Sequence, residues 1–299
     1  MANIPMITTA SGAVPAFEVV EPAEPTIPFV FCSPHSGRDY PADFLAATRL
    51  PGDSIRRSED LFVDQLFECV PKLGAPLIRA RFPRAFLDVN REPYELDPQM
   101  FSEPLPDYVN VGSVRVTGGL GTIPRIVAEN EEIYRQRLPL AEAIDRIETI
   151  YKPFHAAVEE RLRRTKERFG MAILVDCHSM PSSVRALPGG RRPDMVLGDR
   201  YGTSAGARLM AIATGRLTRL GYDVARNKPY AGGYITERYG RPAVGQHAIQ
   251  IEINRGLYAD ERIYRPHAGF EALAERLAAF VVGFAQDVDA DYGLPAAAE

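Results

Sequence analysis

The sequence has no tryptophan and only three cysteines among its 299 residues. Cys32, Cys69 and Cys177 are an odd number and form no C-x-x-C pair, which argues against a disulfide framework. A reducing compartment fits this cysteine content, and we therefore expect the protein to act in the cytoplasm.

Strong charge and long apolar runs are also missing. The net charge is −4, from 35 basic and 39 acidic residues, so there is no electrostatic footprint for nucleic acid. No stretch approaches the ~18 consecutive apolar residues of a membrane-spanning helix. Residues 1–28 have no basic segment followed by a long apolar run, so we expect no signal peptide there. We therefore expect neither nucleic acid nor a membrane as a partner, and the oligomeric state stays open.

What is present indicates an α/β enzyme fold. Predicted strands alternate with predicted helices along the chain, which favours one α/β domain with a central mixed, mostly parallel sheet flanked by helices. We expect a loose N-terminal arm over 1–27 with an edge strand at Phe17–Val20, a single catalytic domain over 28–288, and a C-terminal tail over 289–299.

Hydrophobic periodicity places the main elements. The predicted strands are Phe29–Ser33, Leu77–Arg81, Ala85–Val89, Met171–Val175 and His247–Asn254. One predicted helix begins at Ser58. Three others cover residues 140–168, 204–220 and 270–284, and the first of these three has a kink at Pro153. Residues 232–240 form a polar segment with several glycines, which predicts a loop.

Two of the predicted strands lead into histidines. The apolar run from Met171 to Val175 continues into Asp176 and His178, and the run from Phe29 ends near His35. A continuous apolar run is typical of a strand buried on both faces of a parallel sheet, and α/β sheets bind ligands at the carboxyl ends of such strands. An isolated histidine is usually a satisfied polar residue, whereas two in this context favour a zinc site with His35 and His178 as ligands.

Catalytic zinc has three protein ligands and keeps a fourth position open, so a third ligand is needed. The H-x-x-E spacing does not follow His35. We favour Asp60 over Glu59 at the start of a predicted helix, with Asp64 one turn later as a supporting group. Acidic residues also stabilise the N-terminus of a helix, which alone could explain this pair. Glu252 remains an alternative third ligand.

Glu252 is the predicted general base. In the strand from His247, the residues Gln250, Glu252 and Asn254 share one face, opposite three isoleucines that need a core. A glutamate beside a catalytic zinc ion can accept a proton from water and return it to the leaving amine. The alternative of a cysteine nucleophile is weak, because Cys177 and His178 are neighbours that would point to opposite faces.

Arginines in the predicted site loops are candidates for binding an acidic substrate, since guanidinium pairs with carboxylate in a bidentate fork. The strongest is Arg91, which follows Asp88 and Asn90 at the end of a predicted strand. The other arginines of these loops are Arg84, Arg185, Arg192 and Arg241.

Five short motifs, taken together and in this order, resemble the N-formylglutamate amidohydrolase family. They are Ser33-Pro-His-Ser-Gly37, Leu87-Asp-Val-Asn-Arg91, Val175-Asp-Cys-His-Ser179, Gly232-Gly-Tyr-Ile-Thr236 with Tyr239-Gly240, and Ala248-Ile-Gln-Ile-Glu252. The resemblance extends over about residues 28–260.

The resemblance implies a fold similar to the zinc carboxypeptidases and aspartoacylases, and hydrolysis of N-formyl-L-glutamate to formate and L-glutamate. It supports His35 and His178 as zinc ligands and Glu252 as the base. Its motifs also contain the remaining predicted substrate-binding residues, which are Asn90, Gly233 and Thr236. Two alternatives stay open: a zinc hydrolase of another N-acyl amino acid or small peptide, and a non-catalytic binding protein on the same scaffold.

Overall fold

The computed structural model describes residues 4–128, 131–184, 186–187 and 190–293. The strands are β1 (Met6–Thr9), β2 (Gly12–Pro15), β3 (Phe17–Val20), β4 (Phe29–Ser33), β5 (Leu77–Ala80), β6 (Ile126–Ala128), β7 (Glu131–Glu132), β8 (Ala172–Met180), β9 (Met195–Gly198), β10 (Val224–Arg226), β11 (Gln246–Asn254), β12 (Ala259–Asp260) and β13 (Arg265–Pro266). The α-helices are α1 (Ala42–Ala47), α2 (Val63–Leu66), α3 (Val114–Thr117), α4 (Leu140–Arg146), α5 (Lys152–Phe169), α6 (Ala207–Arg219), α7 (Tyr234–Tyr239) and α8 (Phe270–Tyr292).

The largest sheet of the described chain has seven strands in the order β10-β9-β11-β8-β4-β5-β3. Strand β8 is parallel to both β11 and β4, β10 is parallel to β9, and β9 is antiparallel to β11. The predicted α/β class, a mixed and mostly parallel sheet flanked by helices, is therefore confirmed. The predicted edge strand Phe17–Val20 is the outermost strand β3.

The hydrophobic core lies on one face of the central strands β8 and β11. Side chains alternate along a strand, so the odd-numbered residues of β8 and β11 share one face. On that face Val175, Cys177 and Ile251 pack with the apolar stripe of α8, including Leu277 and Phe284. The even-numbered residues consequently project from the opposite face of the sheet.

The backbone divides into two compact units, each discontinuous in sequence. One comprises Met1–Glu18, Pro34–Glu59 and Arg79–Ala157, and the other comprises Val19–Ser33, Asp60–Ile78 and Val158–Glu299. In the first, Phe154 makes edge contacts with the rings of Phe17 and Phe82, at centroid distances of 5.5 and 6.2 Å. The second contains the core that α6 and α8 form against the sheet.

The end of one predicted strand is wrong, and another predicted strand does not form. The central strand does not stop at Val175 but continues through Asp176 and His178 to Met180. The predicted strand Ala85–Val89 is a turn, in which the Phe86 N–H donates to the Pro83 carbonyl. An apolar run specifies burial, which a buried turn satisfies as well as a strand does.

The long helix predicted over 140–168 is interrupted. Helix α4 ends at Arg146, a π-helical turn follows over Ile147–Tyr151, and α5 begins at Lys152. Pro153 has no N–H to donate and its ring crowds the preceding turn, which accounts for the irregular segment just before it.

Other local predictions differ in extent. The predicted helix from Ser58 is replaced by a 3₁₀ helix over Gly52–Ser58 and the single turn α2. The predicted loop 232–240 contains the short helix α7. Helix α6 begins at Ala207, because Ser204 uses its hydroxyl to donate to the Ala248 carbonyl instead of capping the helix. No helix of the described residues combines the length and apolarity required to cross a membrane.

Candidate active site and metal centre

His178 lies inside strand β8, on the face opposite the core. Asp176 is two residues earlier and therefore shares that face, whereas Cys177 between them is packed in the core. All three residues are buried. The sheet thus presents a carboxylate and an imidazole side by side.

Two carboxylates hold the His178 ring. Asp60 Oδ2 is 2.8 Å from His178 Nδ1, and Asp176 Oδ1 is 2.9 Å from His178 Nε2. Burial acts to lower the pKa of His178, but Asp176 and Asp60 raise it well above its usual value. Asp60 lies between the 3₁₀ helix and α2, next to a turn in which Phe62 has a left-handed φ of 56°. The ring orientation is therefore set from both nitrogens.

His35 follows strand β4 and contacts a different carboxylate. Its Nε2 is 2.8 Å from Asp88 Oδ1. Burial acts to raise the pKa of Asp88, but Arg84, Arg91 and His35 lower it well below its usual range. Gly37 is required in this segment, because a Cβ atom there would lie 2.0 Å from a backbone carbonyl oxygen. The Asp88 carboxylate is thus an anion that orients the His35 ring.

One potential ligand atom from each of His35, Asp60 and His178 lies within 4.8 Å of the others, and all three residues are buried. Two imidazoles and one carboxylate form a donor set that zinc prefers in catalytic sites. Asp88 and Asp176 each contact a ring nitrogen of one histidine, as carboxylates commonly do behind metal-bound imidazoles. The residues present therefore fit a metal ion of this type.

Glu59, the alternative to Asp60, is engaged elsewhere. Its carboxylate accepts hydrogen bonds from the guanidinium of Arg56 and from the hydroxyl of Tyr40, which lies at 2.6 Å. Asp60, and not Glu59, belongs to the group that could share a metal ion.

Glu252 lies on β11 directly beside His178. The two residues are register partners in the parallel pair, so their side chains project from the same face. Gln250 donates through Nε2 to Glu252 Oε1 at 3.0 Å and accepts the Gly233 N–H at 2.8 Å. Glu252 is 7% exposed. The predicted base is thus a buried carboxylate with one oxygen held by a neighbouring amide.

The predicted substrate-binding arginines differ in their surroundings. Arg91 is buried and donates to the carbonyls of Leu120 and Asn90 at 2.7 and 2.8 Å. Burial lowers the pKa of Arg91 to about 10, which leaves it cationic at neutral pH. The side chain of Arg84 is 25% exposed and donates to Asp88 at 2.9 Å. Arg185 lies outside the described residues.

The two predicted substrate-binding residues of the glycine-containing segment, Gly233 and Thr236, contact site residues. Gly233 precedes α7 and gives its N–H to Gln250, while Thr236 is fully buried with its hydroxyl 3.4 Å from Asp176 Oδ2. Both contacts hold side chains next to His178 and Glu252.

Sequence reasoning missed the roles of Asp176, Ser179 and Arg255 in this cluster. Asp176 could have been found from its i, i+2 spacing to His178 on one strand. Arg255 follows the last residue of β11, a position where α/β sheets place functional groups, but its contact with Asp60 has no sequence signal.

The cysteine alternative has no structural support. Cys32 and Cys177 are fully buried, and burial raises the pKa of both thiols well above the usual value, with Asp176 adding to the effect. A thiol in this environment stays protonated and unreactive at neutral pH.

The mixed α/β sheet carries Asp176, His178 and Glu252 on one buried face, and His35 follows strand β4, which together define an α/β protein with a candidate metal centre. The chain matches the family model of N-formylglutamate amidohydrolase over residues 27–259. The protein therefore belongs to the N-formylglutamate amidohydrolase family.

Its similarity to individual proteins is consistent with this assignment. It is 31% identical over 262 residues to the N-formylglutamate deformylase of Pseudomonas aeruginosa, covering 85% of this chain and 90% of the relative. The enzyme of the same name from Pseudomonas putida is 30% identical over 79% of this chain and 83% of its own. The crystal structure of N-formylglutamate amidohydrolase from Ralstonia eutropha JMP134 matches with a TM-score of 0.84 and 35% identity, over 91% of this chain and 98% of that chain.

Proposed function

We propose that this protein is a zinc-dependent amidohydrolase that cleaves the formyl amide of N-formyl-L-glutamate to formate and L-glutamate. The observation that carries the proposal is the group of His35, Asp60 and His178, buried in a chain of this family. The names of the two Pseudomonas relatives support the substrate. We further propose that residues 28–288 act as one catalytic domain and that the enzyme works in the cytoplasm, which its free cysteines favour.

His35, Asp60 and His178 would hold the zinc ion, with Asp88 and Asp176 orienting the two imidazoles. Zinc bound there would act as a Lewis acid on the formyl carbonyl and would lower the pKa of water. The two orienting carboxylates would also make the imidazoles more basic and therefore better ligands.

Glu252 would act as the general acid–base residue. Its carboxylate would accept a proton from the attacking water and deliver it to the amine nitrogen of glutamate as the C–N bond breaks. Support comes from its position beside His178 and from its burial, which excludes bulk water from the carboxylate. The amide of Gln250 fixes Oε1, so that the carboxylate keeps one orientation during both proton transfers.

N-formylglutamate carries two carboxylates, which the arginine cluster near Asp88 would bind. Arg84 is the better candidate for direct contact because its side chain is more exposed than that of Arg91, at 25% against 10%. Arg91 and Asn90 would hold the shape of this segment, since Arg91 donates to the Asn90 carbonyl. Gly233 and Thr236, which lie in one of the family motifs, and Arg185, which the sequence predicted to be in a site loop, complete the proposed substrate-binding set.

The test is metal analysis combined with turnover of two substrates. The purified protein should contain about one zinc per chain, lose activity on chelation and regain it with added zinc. N-formylglutamate should be hydrolysed faster than N-acetylglutamate, and His178→Ala should abolish both metal binding and turnover. Full activity without metal would contradict the zinc proposal, and a preference for acetyl or peptide substrates would favour the alternative hydrolase. Zinc binding without turnover of any of these substrates would favour a binding protein.

A further inference from the structure

Arg255 is a buried cation at the end of strand β11. It begins the 3₁₀ turn Arg255–Leu257, which Asn254 caps by accepting the Gly256 N–H at 3.0 Å. The residue is only 8% exposed. A buried guanidinium is costly unless it is paired and hydrogen-bonded, so its partners define its role.

The partners of Arg255 are the Asp60 carboxylate and Ser179. Arg255 Nη2 donates to Asp60 Oδ1 at 3.3 Å, and Nε donates to Ser179 Oγ at 2.9 Å. The Ser179 hydroxyl in turn donates to the same Asp60 Oδ1 at 3.4 Å. Glu261 is farther away, at 3.8 Å from Arg255 Nη1.

The two carboxylate oxygens of Asp60 therefore have different partners. Oδ1 faces Arg255 and Ser179, whereas Oδ2 faces His178 Nδ1 at 2.8 Å. Two ligand atoms on a tetrahedral zinc ion are separated by about 3.3 Å, from bond lengths of about 2.0–2.1 Å. The 2.8 Å between Oδ2 and Nδ1 is close to that separation, while Oδ1 is engaged by Arg255 and Ser179.

We propose that Arg255 is a positioning residue that anchors Asp60 Oδ1, so that Asp60 offers the single oxygen Oδ2 to the metal. The proposal rests on the proposed function, in which Asp60 is a metal ligand. Without the anchor, the carboxylate could rotate about its Cβ–Cγ bond, and ordering it on metal binding would cost conformational entropy. Ser179 strengthens the anchor because it bonds both to the guanidinium and to Oδ1.

A purely electrostatic role for Arg255 predicts the opposite effect. A guanidinium close to a divalent metal ion repels it, so removing the charge alone would tighten metal binding. Positioning predicts weaker binding after the same change. The direction of the change in zinc affinity therefore decides between the two roles.

The experiment compares Arg255→Met, Arg255→Lys and the control Arg262→Met. Arg262 is another arginine of the same chain segment, but it is exposed and pairs with Asp260. Zinc affinity is measured on folded protein by competition with a chromogenic chelator. We expect about 10–100-fold weaker binding for Arg255→Met, a smaller loss for Arg255→Lys, and wild-type affinity for Arg262→Met.

A spectroscopic measurement separates positioning from general destabilisation. With cobalt in place of zinc, the visible absorption bands report the coordination geometry, and we expect them to change in Arg255→Met but not in Arg262→Met. Wild-type or tighter zinc binding in Arg255→Met would overturn the proposal. Weaker binding with an unchanged cobalt spectrum would overturn it as well, because the coordination geometry would then not depend on Arg255. If Arg255→Met does not fold, Ser179→Ala takes its place, with a weaker effect expected in the same direction and no effect counting against the anchor.

Asp60→Asn distinguishes failure of this inference from failure of the proposed function. If Asp60→Asn binds zinc as tightly as the wild type, Asp60 is not a ligand and the positioning role of Arg255 falls. The proposed function then needs a third ligand elsewhere, and it fails only if zinc content and turnover of N-formylglutamate are also missing in the wild type. If Asp60→Asn weakens binding while the Arg255 and Ser179 variants do not, the metal site stands and the positioning role of Arg255 is refuted.

Discussion

Replacing Glu252 by glutamine tests the proposed mechanism most directly. The change removes the proton-accepting carboxylate and keeps the size of the side chain. Gln250 donates to Oε1 of Glu252, and the amide oxygen of the new glutamine can accept the same hydrogen bond. We therefore expect the local structure of β11 to be retained.

The expected loss of rate follows from the role of the base. General acid–base catalysis typically raises the reaction rate by about 10²–10⁴-fold, which corresponds to about 2.7–5.5 kcal/mol of transition-state stabilisation. The stability change should be much smaller. One neutral hydrogen bond contributes only about 1 kcal/mol, and a buried amide costs less to desolvate than a buried carboxylate.

The assay measures kcat and KM for N-formylglutamate together with the zinc content of the same preparations. We expect kcat of Glu252→Gln to fall by about 10²–10⁴-fold with KM and zinc content near the wild-type values. Glu237→Gln is the matched control, because Glu237 is an exposed glutamate on α7 that pairs with Arg200. Gln250→Ala should lower kcat by less, since it only loosens the orientation of the carboxylate.

Two results would refute this reasoning in different ways. If Glu252→Gln retains kcat within threefold of the wild type, Glu252 is not the base. If the variant loses its zinc, Glu252 is a metal ligand, and Asp60 orients His178 without binding the metal.

Three further predictions concern the ligands, the substrate and the thiols. Asp60→Asn should weaken zinc binding far more than Glu59→Gln in a chelator competition, because Glu59 is held by hydrogen bonds elsewhere in the chain; equal, negligible effects would place the third ligand elsewhere. Arg84→Ala should raise KM for N-formylglutamate about tenfold, the loss of about 1.4 kcal/mol, and affect a neutral N-formyl amino acid much less; equal effects on both substrates would assign Arg84 a structural role. Cys32 and Cys177 should not react with a thiol reagent in the native protein, since burial raises the pKa of both thiols, and alanine at either position should retain activity; rapid labelling with loss of activity would revive the cysteine mechanism.

The sequence alone determined the fold class and the strands that carry the site. Alternation in β11 placed Glu252 opposite the isoleucines, and the apolar runs identified β4 and β8 as buried strands leading to His35 and His178. These are local properties, because the face of a strand residue depends only on its parity along the chain. The motifs in order also identified the family.

Only the tertiary structure decided which groups support the histidines. Asp88 pairs with His35 across 53 positions of sequence, Asp60 with His178 across 118, and Arg255 with Asp60 across 195. The sequence favoured Asp60 over Glu59 because Asp60 and Asp64 would lie one turn apart on a helix, but α2 begins only at Val63, so Asp60 lies outside that helix. The choice between them depends on side-chain directions set by packing of distant segments, and such contacts exist only after the chain has folded.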